Sequence, residues 1–190
     1  MSILLTGFEP FDGAAVNPSW EAVQCVPDVI AGHEVHRLRL PVVYGEAARL
    51  MLDAARRIQP EIILCCGVAG NRDAVTPELV AINYRQARIA DNAGALFTGT
   101  PIDDGGPAAW MTRLPVNDMV AAMAESGIPA RLSLSAGAYV CNDLYYHALA
   151  AENELNCRSL FVHVPKTEAV GAADAARALT ICLETALKKE

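Results

Sequence analysis

The sequence predicts an α/β sandwich built on a central, mostly parallel sheet. Short apolar runs of strand length alternate along the chain with helical patterns, the signature of strands linked by helical crossovers. The run Ile62-Ile63-Leu64-Cys65-Cys66 is apolar at every position, as a strand covered on both faces requires. With 53% of its 190 residues hydrophobic and 19% charged, the chain can bury a sizeable core as one domain over 1–190, without disulfides or a structural metal.

The elements follow in order. Ile3 to Thr6 reads as a short strand ending at Gly7. Asn17-Pro18-Ser19-Trp20 reads as a helix start, with Asn17 as N-cap and Pro18 at the first helical position, where a missing N–H costs nothing. Val35 to Leu40 alternates like a strand. Glu46 to Ile58 places Ala47, Met51, Ala54 and Ile58 on one helical stripe, and Pro60 stops it. After Ile62 to Cys66, a second strand is expected at Leu79 to Ile82. Asp91-Asn92-Ala93-Gly94 and Asp103-Asp104-Gly105-Gly106-Pro107 punctuate a long irregular stretch, and long loops in compact domains are usually functional or mobile. Val116 to Glu125 is helical, closed by Gly127 and Pro129. A strand is expected at Arg131 to Ser135, a helix at Tyr139 to Glu152, a strand at Ser159 to Val164 and a last helix at Asp174 to Lys188.

Fifteen basic and 22 acidic residues give a net charge of -7 and a pI near 5.1. That balance opposes attraction to phosphate backbones or anionic lipid, so neither nucleic acid nor membrane is expected as a partner. No apolar stretch approaches the roughly 18 to 20 residues that cross a bilayer. The cysteines at 25, 65, 66, 141, 157 and 182 contain no CxxC pair, and His33, His36, His147 and His163 form no metal-ligand set. Met1 leads straight into a strand with no signal-peptide pattern. Free thiols, a cytoplasmic location and no metal or organic cofactor are the expectations.

In such folds chemistry gathers where strand ends meet loops and helix N-termini. Cys141 should stand in the first turn of the helix after Ser135-Ala136-Gly137, where free backbone N–H groups and the helix dipole favour a thiolate. It is also readable as one more small buried hydrophobe, the reading that position alone favours. His163 ends a strand and could serve a thiol as general base, or be a satisfied core histidine. Glu78, between Pro77 and an apolar run, could orient that imidazole or be a solvated strand-end acid. His147 lies six residues beyond Cys141, about 600° of helical rotation, which turns it off the thiol's face. Gly67-Val68-Ala69-Gly70-Asn71-Arg72 follows a strand but lacks the pattern of a phosphate loop.

Several blocks carry a resemblance that spacing alone does not supply. Leu5-Thr6-Gly7-Phe8-Glu9-Pro10-Phe11-Asp12-Gly13 and Asn17-Pro18-Ser19-Trp20-Glu21-Ala22-Val23 resemble the opening of the pyroglutamyl-peptidase I family, also called pyrrolidone-carboxylate peptidase. Thr76-Pro77-Glu78 with Val80 to Asn83, Ala87-Arg88-Ile89 with Asp91-Asn92, and Gly106-Pro107-Ala108-Ala109 agree in order. Ala136-Gly137 with Tyr139-Val140-Cys141-Asn142, and Phe161-Val162-His163-Val164-Pro165, complete the set.

The resemblance implies a three-layer α/β/α sandwich and a cytoplasmic cysteine peptidase, commonly a homotetramer, that removes an N-terminal pyroglutamyl residue from peptides. It implies Cys141 as nucleophile, His163 as base and Glu78 as orienting acid. Phe8 and Phe11 would line the lactam pocket with Asn17 nearby, and Arg88 would lie beside the oxyanion site. The sequence departs from the family at Val68, Asn71, Leu79 and Lys166, and the stretch before the last helix is short. These changes leave two other readings: a thiol amidase for another cyclic or N-acyl amide, and a non-catalytic small-ligand binder on the same fold.

Overall fold

Strand β1 (Ser2–Phe8) shows how the sheet is enclosed in the computed structural model, which describes residues 1–188. Its side chains alternate between two cores: Ile3 and Leu5 enter one, Leu4 and Phe8 the other. The same division holds in β4 (Ile62–Val68), with Ile62, Leu64 and Cys66 against Ile63 and Cys65. Both faces being covered, these strands read as unbroken apolar runs rather than alternating ones.

Between them lie α1 (Pro18–Cys25), β2 (Val29–Ile30), β3 (His33–Leu40) and α2 (Glu46–Ile58). Asn17 caps α1, its side chain accepting from the Ser19 backbone N–H, with Pro18 next. Helix α2 has the expected bounds and ends on a left-handed Gln59, just before Pro60. After β4 come β5 (Thr76–Glu78), β6 (Val80–Ile82), β7 (Arg85–Gln86), β8 (Thr98–Thr100), β9 (Ala109–Met111) and α3 (Val116–Glu125). The chain closes with α4 (Val140–Ala150), α5 (Glu152–Leu155), β10 (Arg158–Val164) and α6 (Ala172–Leu187).

The main sheet has the order β2-β3-β1-β4-β10-β5. Its four inner strands are parallel, and the edge strands β2 and β5 are antiparallel to their neighbours. Helices α1, α3 and α6 cover one face and α2 and α4 the other, which makes the three-layer α/β/α sandwich expected. Among the described residues no helix is long and apolar enough to cross a membrane.

Three expectations change. Leu79 to Ile82 does not add a strand to the main sheet. Only Val80–Ile82 is extended, and it pairs antiparallel with β9 in a separate ribbon packed on α4. That cover explains why Val140, Leu144, Tyr145, Tyr146, Ala148 and Leu149 are all buried, as a helix enclosed from several sides demands. The helix expected at Tyr139 to Glu152 divides at Ala151 into α4 and α5.

The strand expected at Arg131 to Ser135 is reduced to two isolated parallel bridges, Val75 with Ala130 and Glu78 with Ser133. The hydrogen bonds show why. Val75 N–H donates to Pro129 O, Arg131 N–H to Val75 O, Ser133 N–H to Pro77 O and Leu79 N–H to Ser133 O. These are the rungs of a parallel ladder, and the rung that Pro77 would supply is missing because proline has no N–H.

Candidate active site

Three elements converge at one end of the sheet. β10 carries His163, β5 carries Glu78, and the first turn of α4 carries Cys141. Glu78 is the register partner of Phe161 and His163 that of Gly67, so the acid, the imidazole and the space above Gly67 share one face of the sheet. A Cβ built on Gly67 would stand 2.9 Å from Cys141 Sγ and 2.8 Å from Phe161 Cζ. The sulfur therefore uses room that only a glycine leaves open, at the register partner of the histidine.

His163 is buried, and its Nδ1 donates to Glu78 Oε1 at 2.7 Å. A carboxylate can only accept, so Nδ1 holds the hydrogen and Nε2 keeps its lone pair. The imidazole packs on Phe161 with centroids 4.7 Å apart. Burial pulls His163 below the ordinary histidine range, against the attraction of Glu78 and with help from Arg72. Burial would raise the Glu78 carboxyl, but the imidazole and the Arg72 guanidinium together hold it below the usual carboxylate range.

Cys141 departs from expectation in one respect. Its place in the first turn is as predicted, but burial pushes the thiol up to about 12. Glu78 and Cys65 add to that rise, and Arg72 and the residue's own N–H oppose it. Desolvation thus works against the helix N-terminus at this thiol. Cys65 and Cys182 are likewise pushed to about 12 by burial, and all six cysteines are free.

A cavity of about 40 Å³ opens onto the thiol between Phe8, Phe11, Asn17, Val42, Val68 and Tyr139. It adjoins a cleft of about 440 Å³ that shares Phe11, Asn17 and Val68 with it and extends past Asp12, Val16 and Lys166. Phe8 and Phe11 both line the cavity that opens onto the thiol. Asn17 reaches the cavity wall, but its amide is already engaged, donating to Glu9 O at 2.9 Å and accepting from Ser19 N–H and Oγ. Arg88, expected beside the oxyanion site, is exposed and lines neither space. His147 packs edge-on against Tyr146, away from the cavity.

Residues around the nucleophile brace its turn. Asn142 clamps the chain between β6 and β7, accepting from Ile82 N–H and donating to Ile82 O and Tyr84 O. Asp143, fully buried, accepts from Arg85 Nε at 2.6 Å and from Gly45 N–H at the start of α2. Asp91 accepts from the N–H groups of Tyr44, Ala93 and Ala95. Sequence reasoning passed over Arg72, which joins nearby Thr76 and Glu78 to distant Ser135, and Asp143, whose partners Arg85 and Gly45 lie far along the chain. The one available signal was that both sit in segments otherwise rich in small or apolar residues.

An α/β/α sandwich with a thiol above a buried imidazole–carboxylate pair has the make-up of a cysteine peptidase. The comparisons narrow this. The family model described as pyroglutamyl peptidase matches residues 1–189. A pyrrolidone-carboxylate peptidase of Klebsiella pneumoniae is 46% identical over 173 residues, covering 90% of this chain and 81% of the relative. One of Enterococcus faecalis is 41% identical over 167 residues, covering 87% and 78%. The crystal structure of pyroglutamyl peptidase I from Bacillus amyloliquefaciens superposes with a TM-score of 0.91 at 38% identity, covering 97% of this chain and 94% of that one. The pyrrolidone carboxyl peptidase of Thermococcus litoralis gives 0.93 at 29%, covering 98% and 93%. The chain belongs to the pyroglutamyl peptidase family of cysteine peptidases.

Proposed function

We propose that the chain removes the N-terminal pyroglutamyl residue from peptides, with Cys141 as nucleophile, His163 as general base and Glu78 holding the imidazole. The observation that carries this is the placement of the Cys141 sulfur over Gly67, the register neighbour of a histidine whose other nitrogen is engaged by a buried carboxylate.

The lactam ring enters the cavity between Phe8 and Phe11, a small apolar space suited to an uncharged ring. As the sulfur attacks the exocyclic carbonyl carbon, His163 Nε2 takes the thiol proton. Base and nucleophile act together in this step. Backbone N–H groups in the first turn of α4, which has no side-chain cap, receive the developing oxyanion. The carbon–nitrogen bond breaks as the imidazolium protonates the departing amine, leaving a thioester on Cys141. A water deprotonated by His163 then displaces the sulfur and releases pyroglutamate. The leaving chain lies in the cleft past Asp12 and Lys166.

An N-terminal proline lacks the ring carbonyl and carries a charged amine, so desolvation works against it in the same cavity. The test is release of a fluorescent amine from pyroglutamyl and prolyl amides. Rapid turnover of the first alone, abolished in Cys141→Ala and in His163→Ala, supports the reading; comparable cleavage of both amides sinks it. The six free thiols suit a cytoplasmic site of action, and the exposed Met111, Leu132 and Leu134 suit a contact between copies of the chain, which sedimentation measures.

A further inference from the structure

Glu78 is fully buried, yet its two oxygens are served unequally. Oε1 accepts from His163 Nδ1 at 2.7 Å and from Arg72 Nη1 at 2.6 Å. Oε2 has no hydrogen-bond partner among the described residues, the Ser133 hydroxyl donating instead to Ser135 O. The carboxylate is therefore held from one side by two donors on a single oxygen.

Arg72 stands on the turn between β4 and β5 and reaches further than Glu78. Its Nη1 also donates to Thr76 Oγ1, whose hydroxyl donates to the His163 carbonyl oxygen. Its Nη2 donates to Ser135 O at 3.0 Å, at the head of the turn that leads into Cys141. One planar fork thus touches the strand of the acid and the turn of the cysteine directly, and the backbone of the histidine through the Thr76 hydroxyl. A lysine has no such fork.

We propose that Arg72 is a positioning residue of the catalytic centre, fixing the Glu78 carboxylate against His163 and tying that pair to the nucleophile's turn through Ser135. The proposal rests on the roles given above to Cys141, His163 and Glu78. Its positive charge also acts on the imidazole, disfavouring protonation. The charged groups that act on that ring are Glu78 from β5 and Arg72, the cation held at the pair, and the same two act on Cys141 at the start of α4. Lys166, on the loop continuing β10, lies across Gly70.

Arg72→Met and Arg72→Lys, assayed with a pyroglutamyl amide across the acid range, test this. Arg72→Met should lower kcat by about 10- to 100-fold with little change in KM, because the lost contact supports the reacting groups rather than the ring. The acid limb of its kcat/KM profile should move to higher pH, since removing a nearby cation lets His163 take up a proton more readily. Arg72→Lys keeps the charge and should hold the limb near its original place while restoring kcat only in part. A merely structural arginine would lower the melting temperature and leave the limb where it was; an unmoved limb, or kcat within about two-fold of the parent in Arg72→Met, overturns the proposal. If Arg72→Met does not fold, Arg72→Lys decides: parental kcat there rules out the fork. Retained activity in His163→Ala would instead remove the catalytic reading on which the proposal rests.

Discussion

Gly67 and Cys141 stand 74 positions apart in the chain, yet the Cys141 sulfur lies only 2.9 Å from where a Gly67 side chain would begin. Gly67→Ala sets a methyl group 2.9 Å from that sulfur and 2.8 Å from the Phe161 ring, closer than real Cβ contacts come. One of them must shift. A displacement of about 1 Å at a reacting atom is worth on the order of 100-fold in rate, so kcat should fall by about that much while circular dichroism stays that of the parent. Unchanged kcat would place the sulfur elsewhere in solution.

Thiol labelling separates exposure from function. Cys25 is exposed and Cys141 half-buried, whereas Cys65, Cys66, Cys157 and Cys182 are buried. A small alkylating agent should modify the native enzyme at Cys25 and Cys141, and the buried four only after denaturation. Inactivation should track Cys141 alone, so Cys25→Ser should be inactivated at the parental rate with one fewer label. Mass spectrometry of the modified peptides reads this directly.

The base must be neutral to act. Because burial holds His163 below the ordinary histidine value of about 6.5, kcat/KM should be flat through neutrality and fall only at more acidic pH, as the imidazole protonates. Glu78→Gln removes a charge that favours the protonated ring, so the acid limb should move lower still. The amide can still accept from Nδ1–H, so measurable turnover should remain, whereas His163→Ala should lose nearly all of it. The double variant should be barely worse than His163→Ala, since the acid acts through the imidazole. A limb at or above pH 6.5 in the parent contradicts the buried, neutral histidine.

Stability should decline at both ends of the pH scale. His163 and Glu78 have folded values below their unfolded ones, so their contributions are present above the unfolded values and lost as pH falls through the folded ones. The buried thiols run the other way. Cys65 and Cys182 are pushed to about 12 and Cys157 to about 11. Their contributions are present below the ordinary thiol value of about 8.5 and lost as pH rises from there through the folded values. Urea midpoints measured across this range should fall above about pH 8.5, and fall less steeply in a Cys182→Ala variant.

Much of this was legible in the sequence for local reasons. Helices α2 and α3 have their expected bounds because periodicity and stop signals at Pro60, Gly127 and Pro129 agree. The N-cap at Asn17 was legible for the same reason. Leu79 to Ile82 misled because an apolar run shows extension but not which neighbour it pairs with, and here the neighbour is β9. Cys141 was rightly placed in a first turn, but its depth depends on Phe161, Gly67 and the ribbon over α4, so its ionisation was not. Arg72 lay hidden because a long side chain's reach is set by the tertiary fold.

The missing rung at Pro77 shapes how this end of the molecule breathes. The segment Ala130 to Ser133 is held to β5 by alternate bonds with a gap at the middle, while the four inner strands are continuously paired. Amide exchange at Arg131 and Ser133 should therefore outpace that at Leu64 and Leu160 by a local opening that leaves the parallel strands closed. The opening begins at the strand that bears Glu78 and runs toward the turn that bears Cys141. Acid and nucleophile thus lie along one yielding margin of the domain, with the histidine anchored in its most protected part.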